Sequence, residues 1–85
     1  SLGFENAYAL AMKRDAAQRL GVKTISDLAR VAPQLRLATD LEFQSRAEWA
    51  GLQRAYGLRF ARIRAYTPVL MMAALGDGSA DVITA

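Results

Sequence analysis

The sequence has no cysteine and no histidine. The first absence excludes a disulfide framework and a thiolate metal site, and it leaves the compartment open. The second removes the commonest general base and the commonest metal ligand. Of the usual catalytic groups only scattered carboxylates, hydroxyls, lysines and tyrosines remain, so no catalytic role, cofactor or metal is expected. No apolar run approaches the roughly 20 residues needed to span a bilayer. The sequence opens at Ser1 without the charged and apolar regions of a signal peptide, as mature exported proteins, excised pieces and cytosolic proteins all do.

What is present describes a small folded unit. The 85 residues allow one domain at most, and 53% hydrophobic content marks it as globular rather than disordered. A chain of this size buries only roughly 60–65% of its unfolded surface, so its core is thin. The net charge is +3, from 11 basic residues interspersed with 8 acidic ones. Only Arg59, Arg62 and Arg64 cluster, around Phe60. That distribution describes a solvated basic edge, and nucleic acid is not an expected partner.

The chain alternates between two periodicities. Glu5–Met12 sets Tyr8, Leu10 and Met12 on one face and Ala7, Ala9 and Ala11 on the other, which predicts a strand. Arg14–Leu20 is a short helical stretch that Gly21 can close. Thr24-Ile25-Ser26-Asp27 fits a capping box, and the helix it opens aligns Ile25, Leu28, Ala29 and Ala32 before Pro33 stops it. Arg36–Thr39 predicts a second strand. Ala47–Tyr56 is helical again, with Trp49, Leu52 and Tyr56 on one stripe, Gly57 as left-handed cap and Leu58 folding back onto Leu52. Arg59–Arg64 predicts a third strand, and Thr67-Pro68 a helix start. The helix Val69–Leu75, ending at Gly76 and Gly78, has no polar face and is expected to be covered on all sides. Ala80–Thr84 predicts a fourth strand. The alternation is that of an α/β layer with a largely parallel sheet.

In order and spacing, the stretches GFENAYALAM, LGVKTISDLA, TDLEFQSRAEWAGLQRAYGL and LMMAALGDGSADVITA resemble the second lobe of the glycine betaine, choline and carnitine binding proteins of osmoprotectant ABC importers. Together they cover nearly the whole chain, and it is their common register that is specific. The resemblance implies an α/β class and a single three-layer lobe of a type II periplasmic-binding-protein fold, with about four mainly parallel strands and flanking helices. It also implies that residues 1–85 are the second lobe of a two-lobe solute-binding domain whose first lobe lies elsewhere in the parent protein. The expected partners are a quaternary-ammonium solute, an ABC permease and that first lobe. The expected location is periplasmic or extracytoplasmic, in a free, membrane-anchored or permease-fused form. An effector-sensing lobe of a cytosolic transcription regulator shares the architecture and is the alternative.

For such a solute the recognition chemistry is specific. A methylated ammonium donates no hydrogen bond and is read by the negative faces of aromatic rings, whereas a carboxylate tail suits the arginine fork. The resemblance places Tyr8 at an aromatic cage position and Asn6 at a polar ligand contact two residues earlier. Read from the residues alone, Tyr8 is also a core tyrosine and Asn6 also a turn or hinge residue. Arg46, ending EFQSR, matches an arginine that reaches into the cleft, beside the helix start near Ala47; the other reading is a structural salt bridge with Glu42. Glu42 and Phe43 are expected to fix that loop. The sequence departs from the family in two places. Arg46-Ala47-Glu48-Trp49 is one residue shorter than the usual arginine, proline-aspartate-glycine turn and aromatic, and Met72 stands where many relatives have tyrosine. Met71 and Met72 are expected to fill core space.

Overall fold

The computed structural model describes residues 2–5 and 10–84, and the side chains from Leu10 onward. The elements run β1 (Leu2–Glu5), β2 (Leu10–Lys13), α1 (Arg14–Leu20), α2 (Ile25–Val31), β3 (Arg36–Thr39), α3 (Ala47–Tyr56), β4 (Arg62–Ala65), α4 (Pro68–Asp77) and β5 (Val82–Thr84). Short 3-10 turns at Ala32–Gln34 and Phe43–Ser45 complete the order. The sheet order is β1-β2-β5-β3-β4. β3 is parallel to both β4 and β5, while β2 is antiparallel to β5 and β1 to β2.

The expected α/β layer with flanking helices is therefore present: among the described residues the sheet has five strands, where about four were expected, and its parallel pairs are β3 with β4 and β3 with β5. The Glu5–Met12 stretch is not one strand. Its ends belong to two antiparallel strands, with Glu5 paired to Ala11 and Phe4 to Met12. Apolar alternation reports which face a residue takes and not where a chain folds back on itself, and here Glu5 comes to lie beside Ala11. The third strand begins at Arg62 rather than Arg59, because Phe60 turns inward onto Trp49, ring centroids 6.3 Å apart.

Local chemistry explains the helix ends. Thr24 Oγ1 accepts the Asp27 N–H at 3.1 Å, and Asp27 Oδ2 accepts the N–H groups of Thr24 and Lys23 at 3.1 and 2.9 Å. This completes the capping box and satisfies donors the first turn of α2 would otherwise leave open. The Lys23 N–H foremost, then the Arg30 side chain and the Thr24 N–H, hold the Asp27 carboxyl below the usual aspartate range against its desolvation. Gly57 takes the left-handed conformation, φ 63°, that ends α3. At α4, Thr67 is the N-cap and Pro68 the first helical residue, but the Thr67 hydroxyl makes no cap bond. The helix continues through Gly76 and stops at Gly78, φ 84°.

Right-handed crossovers assign the helices to faces. β3 leads through α3 to β4, and β4 leads back past β3 through α4 to β5, in opposite directions across the sheet. Accordingly α1, α2 and α3 cover one face and α4 the other. Alternate strand residues follow: Leu10, Met12, Leu37 and Val82 pack in the cluster with α1–α3, and Ala11, Ala38 and Ile83 with Met71, Ala74 and Leu75 of α4. The alanines let α4 lie close to the strands. Its outer side is bare: among the described residues nothing covers Val69, Leu70 or Met72, which are 79%, 57% and 54% exposed. The expectation that this helix is covered on all sides does not hold within the chain, and Met72 is a surface residue rather than core filling.

Candidate functional site at the carboxyl ends of the parallel strands

In open α/β sheets, ligands bind outside the carboxyl ends of the parallel strands, where loops diverge and side chains can converge. Here that edge is formed by Thr39 of β3, Thr84 of β5 and Tyr66 just beyond β4. Tyr66 remains tied to the sheet through its N–H, which donates to the Thr39 carbonyl at 2.8 Å. Thr39 and Thr84 are the two buried polar residues among the described ones, 0% and 2% exposed. Burying a hydroxyl requires a partner, and each has one. The Thr39 hydroxyl donates to the Asp40 carbonyl at 2.8 Å. Thr84 Oγ1 accepts the Asp40 N–H at 3.0 Å and lies 3.2 Å from Asp40 Oδ2 and 3.3 Å from Met71 Sδ. One hydroxyl proton serves one acceptor, and the carboxylate is the stronger; the thioether is a packing neighbour.

Asp40 is thereby the organiser of the edge. Its Oδ1 accepts the Glu42 N–H at 3.0 Å, closing an Asx-type turn that starts the loop to α3. Its Oδ2 faces Arg46 Nη1 at 3.7 Å. Burial disfavours the Asp40 charge, but the Glu42 N–H, the Thr84 hydroxyl, the Arg46 guanidinium and the Phe43 N–H outweigh it together, and its carboxyl titrates below the usual aspartate range. The loop is held further by the Glu42 carbonyl, which accepts from the Ser45 hydroxyl at 2.7 Å. Phe43 is buried with its ring 5.6 Å from that of Trp49. Phe43 thus fixes the loop, as does Glu42 through its backbone.

Arg46 is the N-cap residue of α3, in extended backbone conformation. Its side chain is 49% exposed, and a single nitrogen approaches Asp40 at a stretched distance. The structural partner is Asp40, then, and not Glu42. Among the described residues the rest of the guanidinium has no protein acceptor, so its fork is open to an anionic group arriving from solvent. Trp49, by contrast, is 5% exposed and sandwiched between Phe43 and Phe60. It is a core residue. Asn6 and Tyr8 lie outside the described residues. Asp40, Thr39 and Thr84 were missed by the sequence reading, although a Thr-Asp pair ending one short strand and a threonine ending another were visible signals.

Residues 1–85 match the family model described as the substrate binding domain of ABC-type glycine betaine transport systems. The chain is 39% identical over 69 residues to a glycine-betaine-binding protein of Pseudomonas aeruginosa, covering 69% of this chain and 22% of that protein. It is 35% identical over 60 residues to the ergothioneine transport permease/ergothioneine binding protein EgtU of Helicobacter pylori, covering 69% of this chain and 11% of that one. Its fold matches a crystal structure of a glycine betaine/carnitine/choline ABC transporter with a TM-score of 0.81 at 31% identity, over 96% of this chain and 30% of that one. The chain therefore spans less than a third of the length of each of these proteins.

Proposed function

This chain belongs to the family of substrate-binding domains of ABC-type glycine betaine transport systems, and we propose that it forms the second lobe of a two-lobe domain that captures a quaternary-ammonium solute for import. The observation that carries this reading is the open Arg46 fork, steadied by Asp40 at the carboxyl edge of the parallel strands. In this reading the fork receives the carboxylate of a betaine-type solute, where two parallel charge-assisted bonds are available. Arg46 at the start of α3 also sets the anion near the positive end of that helix, which favours it further. Tyr8 supplies one aromatic face for the methylated ammonium, and Asn6 a polar contact. The remaining faces come from the other lobe, and closure of the two lobes on solute presents a surface to the permease. The domain works outside the cytoplasm, free, anchored or fused to its permease.

The reading has a direct test. In the full-length parent, Arg46→Ala should weaken glycine betaine binding about tenfold or more and choline binding much less, because choline has no carboxylate. Equal losses for both solutes would return Arg46 to a structural ion pair. The 85-residue chain alone should bind glycine betaine poorly by calorimetric titration, since one tyrosine is not a cage. Micromolar affinity there would show that a single lobe suffices and end the half-clamp account.

A further inference from the structure

The register of the parallel strands creates a second charged feature on the α4 face, which adjoins the Arg46 edge at Tyr66. Arg36 of β3 lies directly beside Arg62 of β4, and Ala38 beside Arg64. Ala38 packs under α4, so Arg36, Arg62 and Arg64 rise on that same face. Like charges side by side on neighbouring strands cost stability. The fold neutralises only one of them. Arg36 Nε meets Asp81 Oδ2 at 3.2 Å, and Arg36 Nη2 donates to the Gly78 carbonyl. The same Asp81 oxygen also accepts the Arg36 N–H at 2.9 Å. Arg62 and Arg64 have no carboxylate partner among the described residues, and Arg64 lies over the Tyr66 ring, 5.9 Å from its centroid. With Tyr66 and Ser79 these arginines line a recess of about 160 Å³. β4 is the last strand of the sheet, so among the described residues one flank of its backbone is unpaired.

We propose that this recess and the free flank of β4 dock an extended acidic protein segment, with aspartate or glutamate at alternate positions facing Arg62 and Arg64. The chemistry fits on two counts. Arginines two residues apart on a strand are about 6.5–7 Å apart, the spacing of alternate side chains on a second strand. An edge strand also offers main-chain donors and acceptors to an added strand, while the charges select which one adds. Arginine beside tyrosine is the composition of interface anchors. A nucleic acid fits less well: single-stranded bases need open aromatic faces, and the one ring in the recess is occupied by Arg64.

Fluorescence anisotropy on the full-length parent protein tests this with a labelled peptide of alternating glutamate and threonine at low ionic strength. The glutamate peptide is expected to bind and its lysine counterpart not to. The double variant Arg62→Ala/Arg64→Ala should weaken binding at least about tenfold, whereas Arg30→Ala, on the opposite face, should leave it unchanged. Circular dichroism melts establish that each variant is folded, and Arg62→Gln/Arg64→Gln repeats the test with longer side chains. Absence of binding by the native chain, or equal binding by the folded double variants, overturns the proposal. Displacement of the peptide by inorganic phosphate or oligothymidylate at matched ionic strength also overturns it, by assigning the arginines to a free oxyanion or to nucleic acid.

Discussion

The two faces of the sheet are built on different principles. On one, three helices and the Phe43–Trp49–Phe60 stack close over leucine, methionine and valine. On the other, a single helix rests on alanines and an isoleucine and leaves its own apolar side to solvent. The closed face is where hydrophobic burial stabilises the lobe, at roughly 25 cal/mol per Å² of apolar area. The open face and the carboxyl edge next to it carry, among the described residues, the Arg46, Arg62 and Arg64 side chains and the bare outer side of α4. The contrast teaches that one face is closed by its own core, whereas the other leaves charge and apolar surface open to solvent.

The sharpest way to break the comparison is Trp49→Ala. Removing an indole packed between two rings on the closed face should destabilise the chain by about 3–5 kcal/mol in urea unfolding; a loss below about 1 kcal/mol would mean the stack does not hold that face together. Next in size, Ala38→Leu should cost about 1–3 kcal/mol, because α4 lies too close for extra methyl groups. A neutral result would show that α4 can lift off, making the open face looser than its packing suggests. The carboxyl edge is probed by acid. Asp40 titrates below the ordinary aspartate value of 3.8, so its contribution is full above that pH and is lost as pH falls through its lower folded value. Asp27 and Asp77 are depressed in the same direction. Asp40→Asn should therefore flatten only part of the acid loss measured by unfolding between about pH 5 and about pH 2, and an unchanged acid limb would remove Asp40 as organiser of the edge. The smallest effect belongs to Met72→Gln, within about 0.5 kcal/mol for an exposed position. A loss comparable to that of Trp49→Ala would reveal that the outer side of α4 is covered after all.

Which parts were legible follows from the range of each signal. The capping box at Thr24, the glycine stop at Gly57 and the bounds of β3 and α3 depend on residues within a turn of one another, and they appear where the spacing put them. The division of Glu5–Met12 between two strands depends on backbone pairing between segments, which no periodicity encodes. Arg46 was legible as a candidate from its motif; in the alternative reading as an ion pair, the partner is Asp40 and not Glu42. The loop turns on Asp40, which brings Arg46 back to the strand end rather than to its neighbour in the loop. The all-apolar α4 was legible in composition, but the described residues do not supply its cover, since hydropathy reports what a helix would prefer to cover and not what covers it.

By itself, then, the sequence determined the class, the capping box at Thr24, the glycine stop at Gly57 and, through four stretches in register, the family. Each of these is short-range chemistry repeated along a chain. The tertiary structure alone decided that Thr39, Asp40, Thr84 and Arg46 meet at one edge and that Arg36, Arg62 and Arg64 meet at another. Both clusters join residues from different strands, and they exist only because parallel pairing through right-handed crossovers brings strand ends of distant sequence into register.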